Sequence, residues 1–363
     1  MHAIFGINPY ICRYARAHKA ATMTETTRKK GIIGKIAAYG IPLVVSVGLC
    51  YVLFTSIDFA EMAAIVREQC RPEWLALALS ISILSHVARA ARWQLQLDAL
   101  GLRCGLWELT LSIFGTYAVN LVFPRLGEVW RTTYISRRSG APFSEVFGSM
   151  VAERLVDMCT VLLILIGTFL LASGHMIEYL QGSAGALGEL AGMLGSPWMW
   201  ALFAVFFIGG WIYVARSRSA LAAKVRDAVG GLWHGFAVLA TMPGRGRWLV
   251  LTAVIWSCYF VQLYVAFYAF PFTAALASGP GGTLAVLVTY VLSSVAMGVP
   301  SNGGIGPWQW AVIFALGSYG IGRAEAGAFA NMVLGTQTLL LIALGILTFA
   351  CILWQNKKLK IKN

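Results

Sequence analysis

The chain has 363 residues, of which 58% are hydrophobic and only 12% charged, and its mean hydropathy is +0.72. A soluble domain carries about 25% charged residues, so this composition excludes a water-soluble globular core and describes a polytopic protein with one membrane domain. The net charge of +13 does not describe a nucleic-acid surface, because Lys and Arg collect at the ends of apolar segments instead of along one polar face.

In chain order, residues 1–36 are basic and lack an apolar run of signal-peptide length, so they are expected to form a disordered cytoplasmic tail, with Met23 a candidate alternative start. The membrane domain is expected over 37–356 as two halves, about 37–172 and about 198–356, followed by a second basic tail at 357–363. Continuous spans are expected at 39–57, 73–93, 152–172, 198–215, 247–270 and 327–354, each near the ~20 residues that cross the hydrocarbon. Two apolar stretches differ: 106–123 stops at Pro124 and 283–299 stops at Pro300. Each is followed by a short second helix, at about 128–138 and about 307–320. The segments 58–72, 173–197 and 271–282 are expected as loops. The cysteines, at 12, 50, 70, 104, 159, 258 and 351, form no CxxC pair, so neither a disulfide framework nor a metal site is indicated, and no cofactor is expected.

The loops set the orientation through their Lys and Arg content. The tail with Arg28, Lys29, Lys30 and Lys35 is inside, as are "RWQLQLDALGLRCG", "RTTYISRRSG", the basic segment 217–246 and the C-terminal "KKLKIK". Segment 173–197, with Glu178 and Glu189 but no Lys or Arg, is outside, as is the uncharged 271–282; the mixed 58–72 is placed outside by default. Each broken segment then starts and finishes on one side of the membrane, as a re-entrant hairpin. Non-helical backbone at membrane depth is tolerated where protein or water covers it, and Pro with Gly is where such breaks form. The halves match in order, and an odd number of crossings in the first inverts the second, which is the architecture of inverted-repeat transporters. Two ordinary short spans in place of the hairpins would give eight crossings. The expected fold is all-α, with six to eight transmembrane helices, two broken or re-entrant hairpins and an inverted-topology repeat.

The charged residues within these segments are candidates for function, since ionisable groups in a membrane are costly. In "NLVFPRLGEVWR", Arg125, Glu128 and Arg131 are spaced by three, so Glu128 can pair with either arginine and leave one guanidinium for phosphate. Pro124 and Gly127 would let backbone N–H groups face the same anion; a snorkelling helix start is the alternative. In "VAERLVDM", Glu153 and Asp157 share a face, one carboxylate can neutralise Arg154, and Asp157 falls about a turn inside the span. They would serve ion or proton coupling, or an ion pair that locks two helices. Arg89 and Arg92 occupy one face in "HVARAARWQ", with Trp93 as an interface anchor, and the positive-inside rule accounts for at least one of them. His86, one turn earlier, reads as a hydrogen-bonded core residue. "VPSNGGIGPWQW" carries no charge; Gly303, Gly304 and Gly306 permit a nest of N–H groups ahead of Pro307 at position N1 of a helix.

Taken together, "RAARW", "NLVFPRLGEVWR", "ERLVD" and "VPSNGGIGPWQW" resemble the flippase-like membrane domain family, the lysylphosphatidylglycerol synthase transmembrane region. The resemblance covers about 39–354. It implies a domain that, in the bifunctional multiple peptide resistance factor, moves aminoacylated phosphatidylglycerol between leaflets, with a soluble aminoacyltransferase domain after the membrane part. No such domain follows the spans here, so synthase activity is not expected. Where the family commonly has Pro-Gly-Gly this chain has Asn302-Gly303-Gly304, and Gln309 stands where an acidic residue commonly follows. Loss of that carboxylate weakens any transfer of specificity for a cationic lysyl lipid.

The expectation is a lipid translocase or lipid-binding transporter of the inner (cytoplasmic) membrane, with both termini cytoplasmic, acting on an anionic phospholipid or lipid-linked substrate. Its substrate-binding candidates are Arg89, Arg92, Asn120, Arg125, Glu128, Arg131, Asn302, Gly303, Gly304 and Gln309, with Glu153, Arg154 and Asp157 for coupling or a structural ion pair. The rivals are an intramembrane enzyme on polyprenyl or phospholipid substrates, using Glu128, Glu153 or Asp157 as acid or base, and a scaffold for an envelope-biosynthesis enzyme encoded elsewhere. No DxD, HExxH or serine–histidine arrangement supports the enzyme.

Overall fold

A computed structural model describes residues 59–123, 126–182, 196–217, 241–299 and 303–362, with positions 219, 223 and 301. The tail at 1–36, the expected span at 39–57, most of 218–240, and Pro124, Arg125, Pro300 and Asn302 lie outside the described residues. Among the described residues there is no strand. The helices are α1 (Phe59–Gln69), α2 (Pro72–Ala99), α3 (Leu106–Val122), α4 (Leu126–Ser139), α5 (Phe143–Gly182), α6 (Pro197–Arg216), α7 (Arg245–Ala266), α8 (Pro271–Ser278), α9 (Gly282–Ala296), α10 (Pro307–Ser318) and α11 (Arg323–Lys362).

Among the described residues, α2, Phe143–Ala172 of α5, Arg245–Ala269 and Arg323–Gln355 of α11 are long and apolar enough to cross a membrane. Helices α8 and α9 together would add a fifth span, bent by 115°. Gly282 makes that corner: a Cβ there would lie 2.3 Å from the Ala277 carbonyl oxygen. Helix α6 falls on the expected span at 198–215. Large apolar side chains stand exposed in number on the outside of these helices, such as Leu163, Leu170 and Leu171 on α5 and Leu339, Ile346 and Leu353 on α11, a surface suited to lipid.

Four expectations need correction, the first being that 173–197 is a loop throughout, since α5 runs on to Gly182. Segment 58–72 is not a loop: α1 fills most of it and packs on α11. Segment 271–282 holds α8, opened by Pro271 at its first turn. Helix α5 begins at Phe143, so Asp157 lies several turns into its helix instead of about one.

Both broken segments fold as helix, corner, helix: α3 with α4, and α9 with α10. At the first corner, a Cβ on Gly127 would lie 2.2 Å from the Thr116 carbonyl oxygen and 2.7 Å from Asn120 Oδ1, so only glycine fits. The Gly127 amide instead donates to Asn120 Oδ1 at 2.8 Å. At the second, Gly303, Gly304 and Gly306 have φ of 64°, 88° and 92°, in the left-handed region that glycine enters without strain. Helices α2 and α7 make the most extensive contact, at the centre. Around them the packing is reciprocal: α5, which follows the first hairpin, lies on α9 of the second, and α11, which follows the second, lies on α3 of the first. The α11–α3 approach is close, since a Cβ on Gly345 would meet Ala118 Cβ at 2.4 Å.

Candidate functional site

Along α2 the buried face changes character. Leu75 and Ala78 join one apolar core with Phe267, Phe270 and Phe329, and Trp93 and Leu97 join another with Leu109, Ile113 and Ile135. Between them lie Ser82, Ser85, His86, Arg89 and Arg92, all buried. The serine hydroxyl of Ser85 survives there by donating to the Ser82 carbonyl at 2.7 Å.

Arg89 and Arg92, three residues apart, face Glu153 and Asp157, four residues apart on α5. Arg89 Nη1 donates to Glu153 Oε1 at 2.9 Å and to Asp157 Oδ2 at 3.0 Å. Arg92 Nη2 donates to Glu153 Oε1 at 3.1 Å. It also approaches Asp157 Oδ1 at 2.8 Å, off the hydrogen-bond axis, a charge contact that leaves Oδ1 without a hydrogen-bond donor among the described residues. Arg131, from α4, donates to Glu153 Oε2 at 3.2 Å. Glu153 thus receives three guanidinium groups and is fully buried, as are Arg92 and, to within 1%, Arg131.

The second half of the chain supplies neutral partners. Tyr259 on α7 accepts from Arg89 Nη2 at 2.9 Å and Nε at 3.3 Å, and Thr252 accepts from Arg92 at 3.2 Å. Arg92 lies over the Trp248 ring at 5.3 Å, and Arg131 over Trp93 at 4.3 Å, so the arginine faces are covered by π-systems. Three cations against two anions leave the cluster one positive charge in excess. Neither Arg92 Nε nor Arg131 Nε has a hydrogen-bond partner among the described residues. Both oxygens of Glu153 are occupied by guanidinium donors, which leaves it ill placed to take a proton from a substrate hydroxyl.

The pairings differ from the local ones expected. Glu128 does not pair with Arg131 on its own helix; it meets Arg154 at 3.7 Å, while Asn120 Nδ2 lies 3.5 Å from its other oxygen. Arg154 is likewise not neutralised by Glu153 or Asp157, which turn to α2. His86 is a packed core residue, with Nε2 3.4 Å from Ser82 Oγ and its ring against Phe114 and Tyr117. Above it a polar ladder crosses the bundle, Gln262 donating to Gln337 and Gln337 to Ser82.

Gly303 and Gly304 sit at the second corner, where a Cβ on Gly303 would lie 2.6 Å from Leu121 Cδ2. The two hairpin tips therefore touch. Gln309 accepts from the Gly306 amide at 3.0 Å, closing the first turn of α10, and donates to Asn331 on α11. It braces the tip and lies apart from the arginine cluster. Tyr259, Thr252, Trp248 and Asn331 were not singled out by sequence, being ordinary residues in apolar segments; the alignment of Arg89 and Arg92 with Glu153 and Asp157 was the signal available.

Helices long and apolar enough to cross a membrane, broken hairpins and a charge cluster buried among the helices describe a multi-pass helical membrane protein with an internal polar site. The model of the lysylphosphatidylglycerol synthase transmembrane region matches residues 40–345, and the chain belongs to that family. It is 30% identical over 115 residues to a UPF0104 membrane protein of Methanocaldococcus jannaschii, covering 30% of this chain and 34% of that one. It is 32% identical over 106 residues to the glycosyltransferase AglD of Haloferax volcanii, covering 29% of this chain and 17% of that one. The chain thus spans about a third or less of the curated relatives it matches. No solved structure matches it.

Proposed function

We propose that the protein binds the anionic headgroup of a phospholipid or lipid-linked substrate and moves it between leaflets of the inner membrane. The observation that carries this is the excess positive charge of the Arg89, Arg92, Arg131, Glu153 and Asp157 cluster, buried among membrane helices where an unbalanced charge is costly. An anion balances it. Arg131 and Arg125 contact phosphate, Arg89 and Arg92 complete the positive face, Glu128 and Asn120 orient the first hairpin, and Glu153 with Asp157 holds the guanidiniums in place. Gly303, Gly304 and Gln309 shape the opposing tip, Asn302 is a further candidate for headgroup binding, and the lipid tails stay in the bilayer. The reciprocal packing of α5 on α9 and α11 on α3 supports an inverted repeat of six crossings with two re-entrant hairpins. Both termini are then cytoplasmic. The occupied Glu153 carboxylate gives an intramembrane enzyme that uses it less support, and the 17% of AglD that is matched carries no activity with it.

Binding of phosphatidylglycerol to the detergent-purified protein, followed by native mass spectrometry, tests this. Arg131→Gln brings the cluster from one excess positive charge to neutrality while leaving each carboxylate paired. Loss of a charge-assisted contact costs on the order of 2 kcal/mol, about thirtyfold in affinity, and Arg125→Gln is expected to act alike. Wild-type binding in both variants would reduce the cluster to a packing device.

A further inference from the structure

Arg154 differs from the three buried arginines. On α5 it shares a face with Val151, Met158 and Leu162, spaced by three or four residues, and those side chains are 37%, 68% and 54% exposed. Its own side chain is 36% exposed. A guanidinium in a lipid-facing apolar stripe is costly unless it meets an anion. The anion it has is Glu128 at 3.7 Å, too far for a hydrogen bond, and its Nε is buried without a partner among the described residues. Across the seam, α4 turns out Leu126 and Val129, 51% and 44% exposed. A loosely held ion pair is therefore set into an apolar seam between α4 and α5, with Arg154 directly following the buried Glu153 in the chain.

We propose that this seam is a lateral docking site for the phosphodiester of a membrane phospholipid, with Arg154 as its receptor. Arg154 exchanges the Glu128 carboxylate for phosphate, which its planar fork grips bidentately. Glu128, displaced, keeps Asn120, whose amide nitrogen already lies 3.5 Å from its second oxygen. The acyl chains lie along Val129, Val151 and Met158. The inference rests on the lipid-handling function above and adds where the lipid leaves the bilayer to approach the cluster.

A docking site and a structural ion pair respond differently to loss of each partner. The full chain is reconstituted into phosphatidylcholine vesicles containing a small fraction of spin-labelled phosphatidylglycerol, and the motionally restricted lipid is measured. Arg154→Gln lowers retention on the order of tenfold, Arg154→Lys lowers it less, and Glu128→Gln raises it by removing the competitor. Glu128→Gln and Arg154→Gln shifting retention in the same direction, or neither shifting it, overturns the proposal. Equal competition by soluble glycerol 3-phosphate would mark an aqueous anion site and overturn the lipid assignment. Arg131→Gln run in parallel separates the two claims: if it binds as wild type while the seam variants diverge, the central site fails and the seam stands. If it weakens binding while the seam variants move together, the reverse holds.

Discussion

Glu153 holds three arginines from two helices, and each of those arginines was drawn out of water on the strength of that carboxylate. Breaking a buried ion network by removing one member costs about 3–5 kcal/mol, because the remaining charges stay buried and uncompensated. Glu153→Gln leaves Arg89, Arg92 and Arg131 against Asp157 alone, so a loss of that size is expected in denaturant unfolding of the purified protein. Arg154→Gln removes a partly exposed contact at 3.7 Å and is expected to cost about 1 kcal/mol or less. Equal losses would mean that Glu153 is no more central than the rim pair. Asp157 has fewer donors than Glu153 and one oxygen without a hydrogen bond among the described residues, so Asp157→Asn should be milder than Glu153→Gln.

The hairpins are where single small residues decide the fold of a whole element. Gly127→Ala drives a methyl into the Thr116 carbonyl and Asn120. Overpacking of this kind costs about 1–3 kcal/mol, and a corner that cannot relax should show it as a lower unfolding temperature; an unchanged one would mean that α3 and α4 meet less tightly than described. These corners were legible beforehand because Pro and Gly punctuate chains at known places: α3 with α4 and α9 with α10 fall within a few residues of expectation. Helix α8 was not, since a short uncharged stretch between two apolar segments reads as a loop as readily as a helix, and Pro271 marks either. The ion pairs were half legible. That Arg89, Arg92, Arg131, Glu153 and Asp157 matter follows from charge in apolar surroundings, but helical spacing points to Glu128–Arg131, whereas Glu128 meets Arg154 on the next helix. The packing of α4 on α5 selects that pair, and the packing of α2 on α5 brings Arg89 and Glu153, 64 residues apart, into contact; both are set by the tertiary fold. The acceptors Tyr259 and Thr252 belong to the other half of the chain and carry no local signal at all.

For the molecule as a whole, the inverted-repeat proposal has a topological consequence: the two termini and residues 217–246 face the cytoplasm, and 173–197 faces outward. With native thiols replaced, cysteines introduced at 225–240 should resist a membrane-impermeant maleimide applied to intact cells and react after permeabilisation, whereas ready labelling from outside would break the repeat. The central claim, that a net-positive intramembrane cluster moves an anionic lipid without altering it, is tested most directly in reconstituted vesicles. There the leaflet distribution and the mass of phosphatidylglycerol are followed together, with wild type and Arg131→Gln side by side. The account predicts redistribution of the lipid at constant mass by the wild type and a large loss of that movement in the variant. A change in lipid mass, or redistribution that proceeds as fast in the variant as in the wild type, would contradict it.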